Sequence, residues 1–357
     1  MKTVHILSQG FVATNVRAML FPLIVWRQAL RERGISWRVF TEPCEALFDC
    51  DVLVVESHFH GKRWGTDTKG ILEELWGYAQ RVDSLFYLDS SDSTALLHPE
   101  VLPIVDRYYK GQILKNRRLY GTAHYGNRFF TDFVHETYGT TDDNPSRSIP
   151  VVDDMHLNKI RVWWNSSLAD WSWKGRYRMA LYSLLPWSPI LAFPNHFTDP
   201  AGARNIKISC RMGTVYDRAT VAWPRKIAKE KLEKWAPANR ISYREYVREL
   251  QAARLVISPF GWGEINYKDY EVFLAGAALV KPDMEHLETW PNLYRPDDTY
   301  FAYDWSGENL AQIVESLLDD AGRAEAIARK GQDLYKSHLV GSHARSKFCD
   351  RVQNLLE

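Results

Sequence analysis

The chain has 357 residues, 45% hydrophobic and 25% charged, with a formal net charge of +1. That length is too great for one ordinary core and suits two domains. The near-neutral balance gives no general case for nucleic acid or an acidic membrane surface, leaving only local basic patches. Four scattered cysteines, Cys44, Cys50, Cys210 and Cys349, form no Cys-X-X-Cys pair, which argues against a disulfide framework or structural zinc and fits a reducing compartment.

In chain order, residues 2–7 read as a strand, where a leader peptide would carry a longer apolar core. The longest apolar run, 19–26, contains Pro22 and is too short to span a bilayer. A cytoplasmic protein is expected, with contact at the inner face of the membrane left open. A helical pattern follows over 15–33 and stops at Gly34. Strands are predicted at 35–40, at 51–56 (DVLVVE) and at 84–88 (SLFYL), the second nearly continuous in apolar character, as a strand buried on both faces should be. Strands alternating with helices imply a parallel doubly wound sheet, with ligands outside the carboxyl ends of the strands. Those ends carry Ser8-Gln9-Gly10, Ser57-His58-Phe59-His60 and Asp89-Ser90-Ser91-Asp92. Gln9, His58 and His60 are therefore candidate contacts for a second substrate.

The middle is less regular: YYKGQIL, a polar gap at 140–148, then Trp163, Trp164, Trp171 and Trp173. The tryptophans suit packing near a domain junction or a platform for a sugar ring. Prolines 186, 189, 194 and 200 mark a boundary near 190–204. Alternation then restarts. A strand at 205–210 enters the turn Arg211-Met212-Gly213-Thr214, and a helix is predicted from about Pro224, proline suiting a first turn. Ser242 and Glu245 form a capping box. A strand at 255–258, a helix at 267–274 and a strand at 278–281 follow. Leu310, Ile313, Val314, Leu317 and Leu318 outline an amphipathic helix, and two more helices, about 321–338 and 342–356, close the chain. The expected division is 1–195, 196–338 and a last helix, 339–357.

The chemically specific stretch is PFGWGEINYKDYEVFLAGAALVKPD, 259–283. Gly261 and Gly263 let the backbone approach a ligand, and the start of the next helix favours phosphate. Tyr267 and Asp269 open that helix. Glu264 and Glu271 stand seven residues apart, about two turns, so both carboxylates could face one cleft and accept hydrogen bonds from vicinal hydroxyls.

This segment resembles the nucleotide-binding part of group 1 glycosyltransferases of GT-B fold, closest to the spore-maturation-protein-like branch, over roughly 204–350. The resemblance implies two Rossmann-like α/β domains in tandem, an acceptor domain and a donor domain facing across a cleft, with the last helix crossing back. It also implies a nucleotide-diphosphate sugar as donor substrate, a carbohydrate or lipid-linked acceptor, and hexosyl transfer, as in surface-polysaccharide or glycoconjugate synthesis. By resemblance Glu271 contacts the donor ribose and Glu264 the donor sugar, although the pair here is one residue closer than in the usual pattern. Arg211, Gly213 and Thr214 fall at the donor domain's first turn, and Arg225 or Lys226 would meet the diphosphate.

Neither a cofactor nor a metal is expected. No Asp-X-Asp motif occurs in the donor half, and basic groups with helix ends can stabilise a leaving diphosphate. Asp142-Asp143 and Asp153-Asp154 read as solvated loop residues. Asp89 and Asp92 are the candidate carboxylates for the acceptor hydroxyl, as a general base or as hydrogen-bond acceptors, while Asp92 equally suits a helix N-cap. A nucleotide-sugar epimerase and a non-catalytic sugar or nucleotide-binding module are the rival readings.

Overall fold

The structure is a computed structural model describing residues 1–144, 146 and 149–357. Part of the polar gap read at 140–148, namely Pro145, Arg147 and Ser148, lies outside them. The first lobe holds strands β1 (Lys2–Leu7), β2 (Ile35–Phe40), β3 (Val52–Glu56), β4 (Ser84–Asp89), β5 (Arg107–Lys110), β6 (Gln112–Leu114) and β7 (Ile160–Val162). Its helices are α1 (Thr14–Val25), α2 (Arg27–Glu32), α3 (Ser57–His60), α4 (Thr68–Ala79), α5 (Phe129–Tyr138) and α6 (Trp173–Leu184). The second lobe holds β8 (Ile206–Ser209), β9 (Ala253–Ile257), β10 (Ala278–Pro282), β11 (Leu287–Thr289) and β12 (Phe301–Tyr303). Its helices are α7 (Ala219–Lys231), α8 (Tyr243–Ala252), α9 (Tyr267–Ala275), α10 (Leu310–Asp319), α11 (Ala321–Ser337) and α12 (Gly341–Leu356).

Two parallel sheets result, ordered β2-β1-β3-β4-β5-β7 and β12-β10-β9-β8. β3 is buried at every position, as the apolar run Val52–Val55 requires when helices cover both faces, and its last residue, Glu56, is buried with it. The order reverses between β1 and β3, which opens a crevice beyond their carboxyl ends. Two Rossmann-like lobes in tandem make the GT-B arrangement.

The lobes are joined by more than the chain that connects them. β6 of the first pairs antiparallel with β11 of the second, and the Asn165 amide donates to Thr289 Oγ1 and to the Pro291 carbonyl. One buried apolar cluster runs from Phe21 and Trp164 through Tyr270 and Phe273 to Phe348. α12 lies on the first lobe: Asp350 pairs with Arg33 at 3.0 Å, the Tyr109 hydroxyl donates to the Leu355 carbonyl, and Phe348 packs on Trp26.

Local departures from the sequence pattern have local causes. The 15–33 pattern breaks at Trp26 into α1 and α2. α7 begins at Ala219, five residues before Pro224, which therefore sits inside the helix. Its start is held from the other lobe: Asp142 accepts from the Thr220 backbone N–H at 2.9 Å and from its hydroxyl at 2.8 Å. Asp142 is thus buried, not solvated as expected. Long-range capping of this kind leaves no mark in the nearby sequence. The Ser242–Glu245 capping box is present at the start of α8. Trp163 and Trp164 are buried core residues, Trp171 is half-buried and Trp173 is exposed. Among the described residues no helix is long and apolar enough to cross a membrane.

Candidate active site

Two neighbouring cavities lie beside α9. The first, about 200 Å³, lies between the lobes and is lined by Asn15, Ser90, Asp92 and Gln112 on one side and Arg225 and Tyr267 on the other. The second, about 170 Å³, lies between α6 and the α8–α9 pair and contains Glu271, Trp171, Trp173 and Tyr243. Trp171 stacks on Tyr267 with ring centroids 4.1 Å apart, so the wall between the cavities is one ring pair thick.

The glycine turn is dictated by what crowds it. A Cβ on Gly261 would stand 2.6 Å from the Arg225 guanidinium, and one on Gly263 would run into the Asp92 carbonyl. Arg225 donates Nε to the Phe260 carbonyl at 3.0 Å and Nη1 to the Gly213 carbonyl at 3.2 Å. Among the described residues it has no carboxylate partner. Burial lowers its pKa, which leaves a desolvated cation in need of an anion. Arg128 and Arg218 lie over the Trp262 ring at 5.2 and 5.8 Å, and burial, with repulsion from Arg218, brings Arg128 to about 10. Three arginines therefore surround a turn of three residues.

The two glutamates of this segment part company. Glu264 is fully buried beneath the first lobe, where it accepts from the Thr94 N–H (3.1 Å), the Thr94 hydroxyl (2.6 Å), the Ser93 hydroxyl (3.3 Å) and the Gln112 amide (3.4 Å). His286 Nε2 stands 3.8 Å away, too far for a hydrogen bond but close enough to attract charge. Burial opposes ionisation, yet His286 and Thr94 outweigh it and the carboxyl titrates below the usual glutamate value. Glu271 is half-buried, with the Tyr246 hydroxyl donating at 2.9 Å. Desolvation dominates there and raises it to about 7.

Other expected site residues are engaged elsewhere. Arg211 forks onto Glu249, with Nε at 2.9 Å and Nη2 at 2.8 Å from Oε2, and also bonds Asn239. It acts within the second lobe and does not reach either cavity. Asp269 is buried, accepting from the Ser258 hydroxyl (2.6 Å), the Tyr294 hydroxyl (2.9 Å) and the Asn266 N–H (3.1 Å), with Lys281 at 3.2 Å. It pins α9 to the sheet. Asp89, a candidate base, is sealed against Lys110 at 3.1 Å with both side chains at 0% exposure. Burial opposes its charge, but Lys110, His98 and the hydrogen bonds from Ser91 together outweigh burial, and its pKa falls to about 2. The histidines do not share a face, because they lie on a helical turn and not on a strand. His58 reaches Ser90 at 2.6 Å and Glu56 at 3.0 Å, and the Glu56 carboxylate raises its pKa. His60 is buried beside Glu74 of α4, and burial lowers its pKa.

Asp92 and Tyr267 are linked through Asn15. The Asn15 amide donates to Asp92 Oδ1 at 2.7 Å and to the Ser90 carbonyl at 2.8 Å, while the Tyr267 hydroxyl donates to Asn15 Oδ1. The residues after Asp92 form bends and no helix, so it is not an N-cap. Gln9 is exposed at the end of β1 beside Gly61. Thr214 borders a shallow basin with Lys234 and Arg240, outside both cavities. Asn15, Gln112 and Tyr246 carry no motif and were missed, while Trp171 was noted only as one of the tryptophan cluster; only the position of Asn15 just past the first strand end could have signalled it. Among the described residues no three His, Cys, Asp or Glu side chains are grouped to hold a metal ion.

Residues 195–349 match the family described as Glycosyl transferase-like. No curated protein sequence matches the chain. Similar solved structures include HepE of Anabaena in complex with UDP-glucose (12% identity, 99% of this chain and 100% of that one, TM-score 0.46). Two others are a glycosyltransferase of Rickettsia africae (9%, 100% and 99%, 0.46) and sucrose-phosphate synthase of Thermosynechococcus elongatus (10%, 100% and 99%, 0.45).

Proposed function

We propose that the protein is a glycosyltransferase that moves a hexose from a nucleotide-diphosphate sugar to a carbohydrate or lipid-linked acceptor. It then divides into an acceptor lobe (1–195), a donor lobe (196–338) and a returning helix (339–357), and its nearest kin are the spore-maturation-protein-like transferases. The observation that carries the reading is Arg225: a desolvated guanidinium without a carboxylate, held against Gly261 of the glycine turn at the interlobe cavity. A diphosphate supplies the missing anion, and arginine's planar fork suits it.

The donor lies along α9. Its diphosphate meets Arg225 and the turn at Gly261 and Gly263, the sugar enters the interlobe cavity, and the ribose hydroxyls reach Glu271. Tyr267 and Trp171, stacked between the cavities, turn aside to let one ligand span both. As the bond to the anomeric carbon breaks, negative charge grows on the leaving diphosphate. The Arg225 cation and the N–H groups at the start of α9 stabilise it without requiring a metal. On the acceptor side Asp92 is the open carboxylate, held by Asn15, and is placed to accept the acceptor hydroxyl's proton or to orient it. His58, backed by Glu56, is the second polar contact for the acceptor.

Thermal unfolding in the presence of a panel of nucleotide-diphosphate sugars tests the reading, because a ligand of the native state alone raises the melting temperature. One or more donors should stabilise the wild type and fail to stabilise Arg225→Ala. Product analysis then separates transfer, which releases nucleotide diphosphate, from epimerisation, which does not. Stabilisation by no donor would sink the proposal.

A further inference from the structure

The outward face of α6 is apolar where a surface helix is normally polar. Trp173, Tyr177, Leu181 and Leu184 follow one another at helical spacing and are 52, 62, 50 and 85% exposed. Leu185 and Trp187 prolong the patch beyond the helix at 56 and 61%. The core does not need these side chains. Gly175 and Met179, on the opposite side of the helix, are the residues it buries, and Tyr182 packs against Phe11. The remaining exposed large apolar residues among those described are scattered along the chain, whereas these six fall within residues 173–187.

Charge within this segment of the chain has one sign. Residues 171–198 contain no Asp or Glu, and Lys174, Arg176 and Arg178 lie among the apolar positions. At about 100° per residue, Lys174 and Arg176 flank the apolar stripe on its two sides. Both are exposed, and among the described residues neither pairs with a carboxylate. Arg178, by contrast, is turned inward to Asp170 at 3.4 Å. Leucines in the middle, tryptophan and tyrosine along them and unpaired cations at the rim are what a lipid headgroup layer takes up: apolar atoms enter the acyl boundary, aromatic rings rest at the interface and cations meet phosphate.

We infer that α6 and the turn after it dock on the surface of an anionic lipid bilayer. The docked helix holds both cavities close to the lipid headgroups. Trp173 and Lys174 line the cavity of Glu271, and the Ser183 hydroxyl donates to the Phe11 carbonyl just ahead of Asn15. An acceptor carried on a lipid would then meet the site without leaving the membrane. That extension rests on the glycosyltransferase reading; the docking does not.

The test is cosedimentation of the full chain, without nucleotide, with vesicles of phosphatidylcholine alone and with added phosphatidylglycerol. Binding is expected only when phosphatidylglycerol is present and should weaken as salt is raised. The double variant Leu184→Ser, Trp187→Ser should bind about tenfold more weakly or less, with unchanged thermal unfolding and unchanged response to nucleotide sugars. Arg176→Glu should lose about fivefold or more. Equal binding to both vesicle types, no binding, or full binding by the double variant overturns the inference. So does a wild-type dimer in sedimentation velocity that the double variant abolishes, since a second copy would then cover the face. Vesicle binding without stabilisation by any nucleotide sugar would instead remove the glycosyltransferase reading and leave the docking standing.

Discussion

The front and back of one 25-residue segment behave in opposite ways. At its front, Glu264 is closed off by hydrogen-bond donors that mostly belong to the other lobe. At its back, Glu271 is half-buried beside a cavity, with the Tyr246 hydroxyl donating and Tyr243 close by. Both carboxylates are desolvated. The front one titrates low because its partners favour the charge, and the back one is raised to about 7 because they do not suffice. A satisfied buried carboxylate belongs to the architecture. A carboxylate at a cavity whose pKa is raised by desolvation is a candidate for a functional site.

This contrast can be broken most sharply at Glu264. Its replacement by alanine strands the Thr94 N–H, Ser93 and Gln112 without their acceptor at the lobe contact, and should cost about 3–5 kcal/mol in urea unfolding. A Glu264→Ala protein of wild-type stability that no longer binds donor would reverse the roles given to the two glutamates. Arg225→Ala comes next. Loss of a charge-assisted contact to diphosphate should weaken donor binding by about 1.5–3 kcal/mol, read by calorimetry, with a smaller effect on folding than Glu264→Ala, since only the Phe260 and Gly213 carbonyls lose a donor and no carboxylate is left unpaired. Glu271→Ala should weaken donor binding by about 1–2 kcal/mol and leave the fold intact. Unchanged affinity would detach this glutamate from the donor.

The smallest effect sharpens the comparison through pH. Glu271 has a raised pKa in the fold, so the native state holds its proton more tightly than the unfolded chain. Its contribution to stability is present below the ordinary glutamate value of 4.5 and is lost as pH rises to about 7. Glu271→Gln has no such proton to lose. Its melting temperature should move above that of the wild type across that window, by about 2 °C or more. Parallel profiles would mean that Glu271 is not desolvated in solution.

Much of the scaffold was legible in the sequence. The run DVLVVE, the Gly34 stop, the Ser242–Glu245 box and the 310–318 stripe are local signals, each readable from neighbours a few residues away. The short strands β5, β6, β7, β11 and β12 were not read, because three- or four-residue strands carry too little periodicity to stand out. Within the candidate site, the glycine turn and Glu271 could be singled out from order and spacing alone. The partners that sort Asp89 from Asp92, or His58 from His60, come from β5, α1 and α4 and are far away in the chain.

The sequence by itself determined that two parallel α/β units follow one another and that residues 259–283 form a tight turn ahead of a carboxylate-bearing helix. Local periodicity and glycine chemistry need no knowledge of the rest of the chain. Only the tertiary structure decided which acid is structural and which is open, that Asp142 caps α7 across the lobe boundary, and that α6 turns its apolar side outward. Solvation, charge compensation and exposure depend on groups that folding brings together from distant positions, and those groups set whether a buried charge is held or left needing a partner.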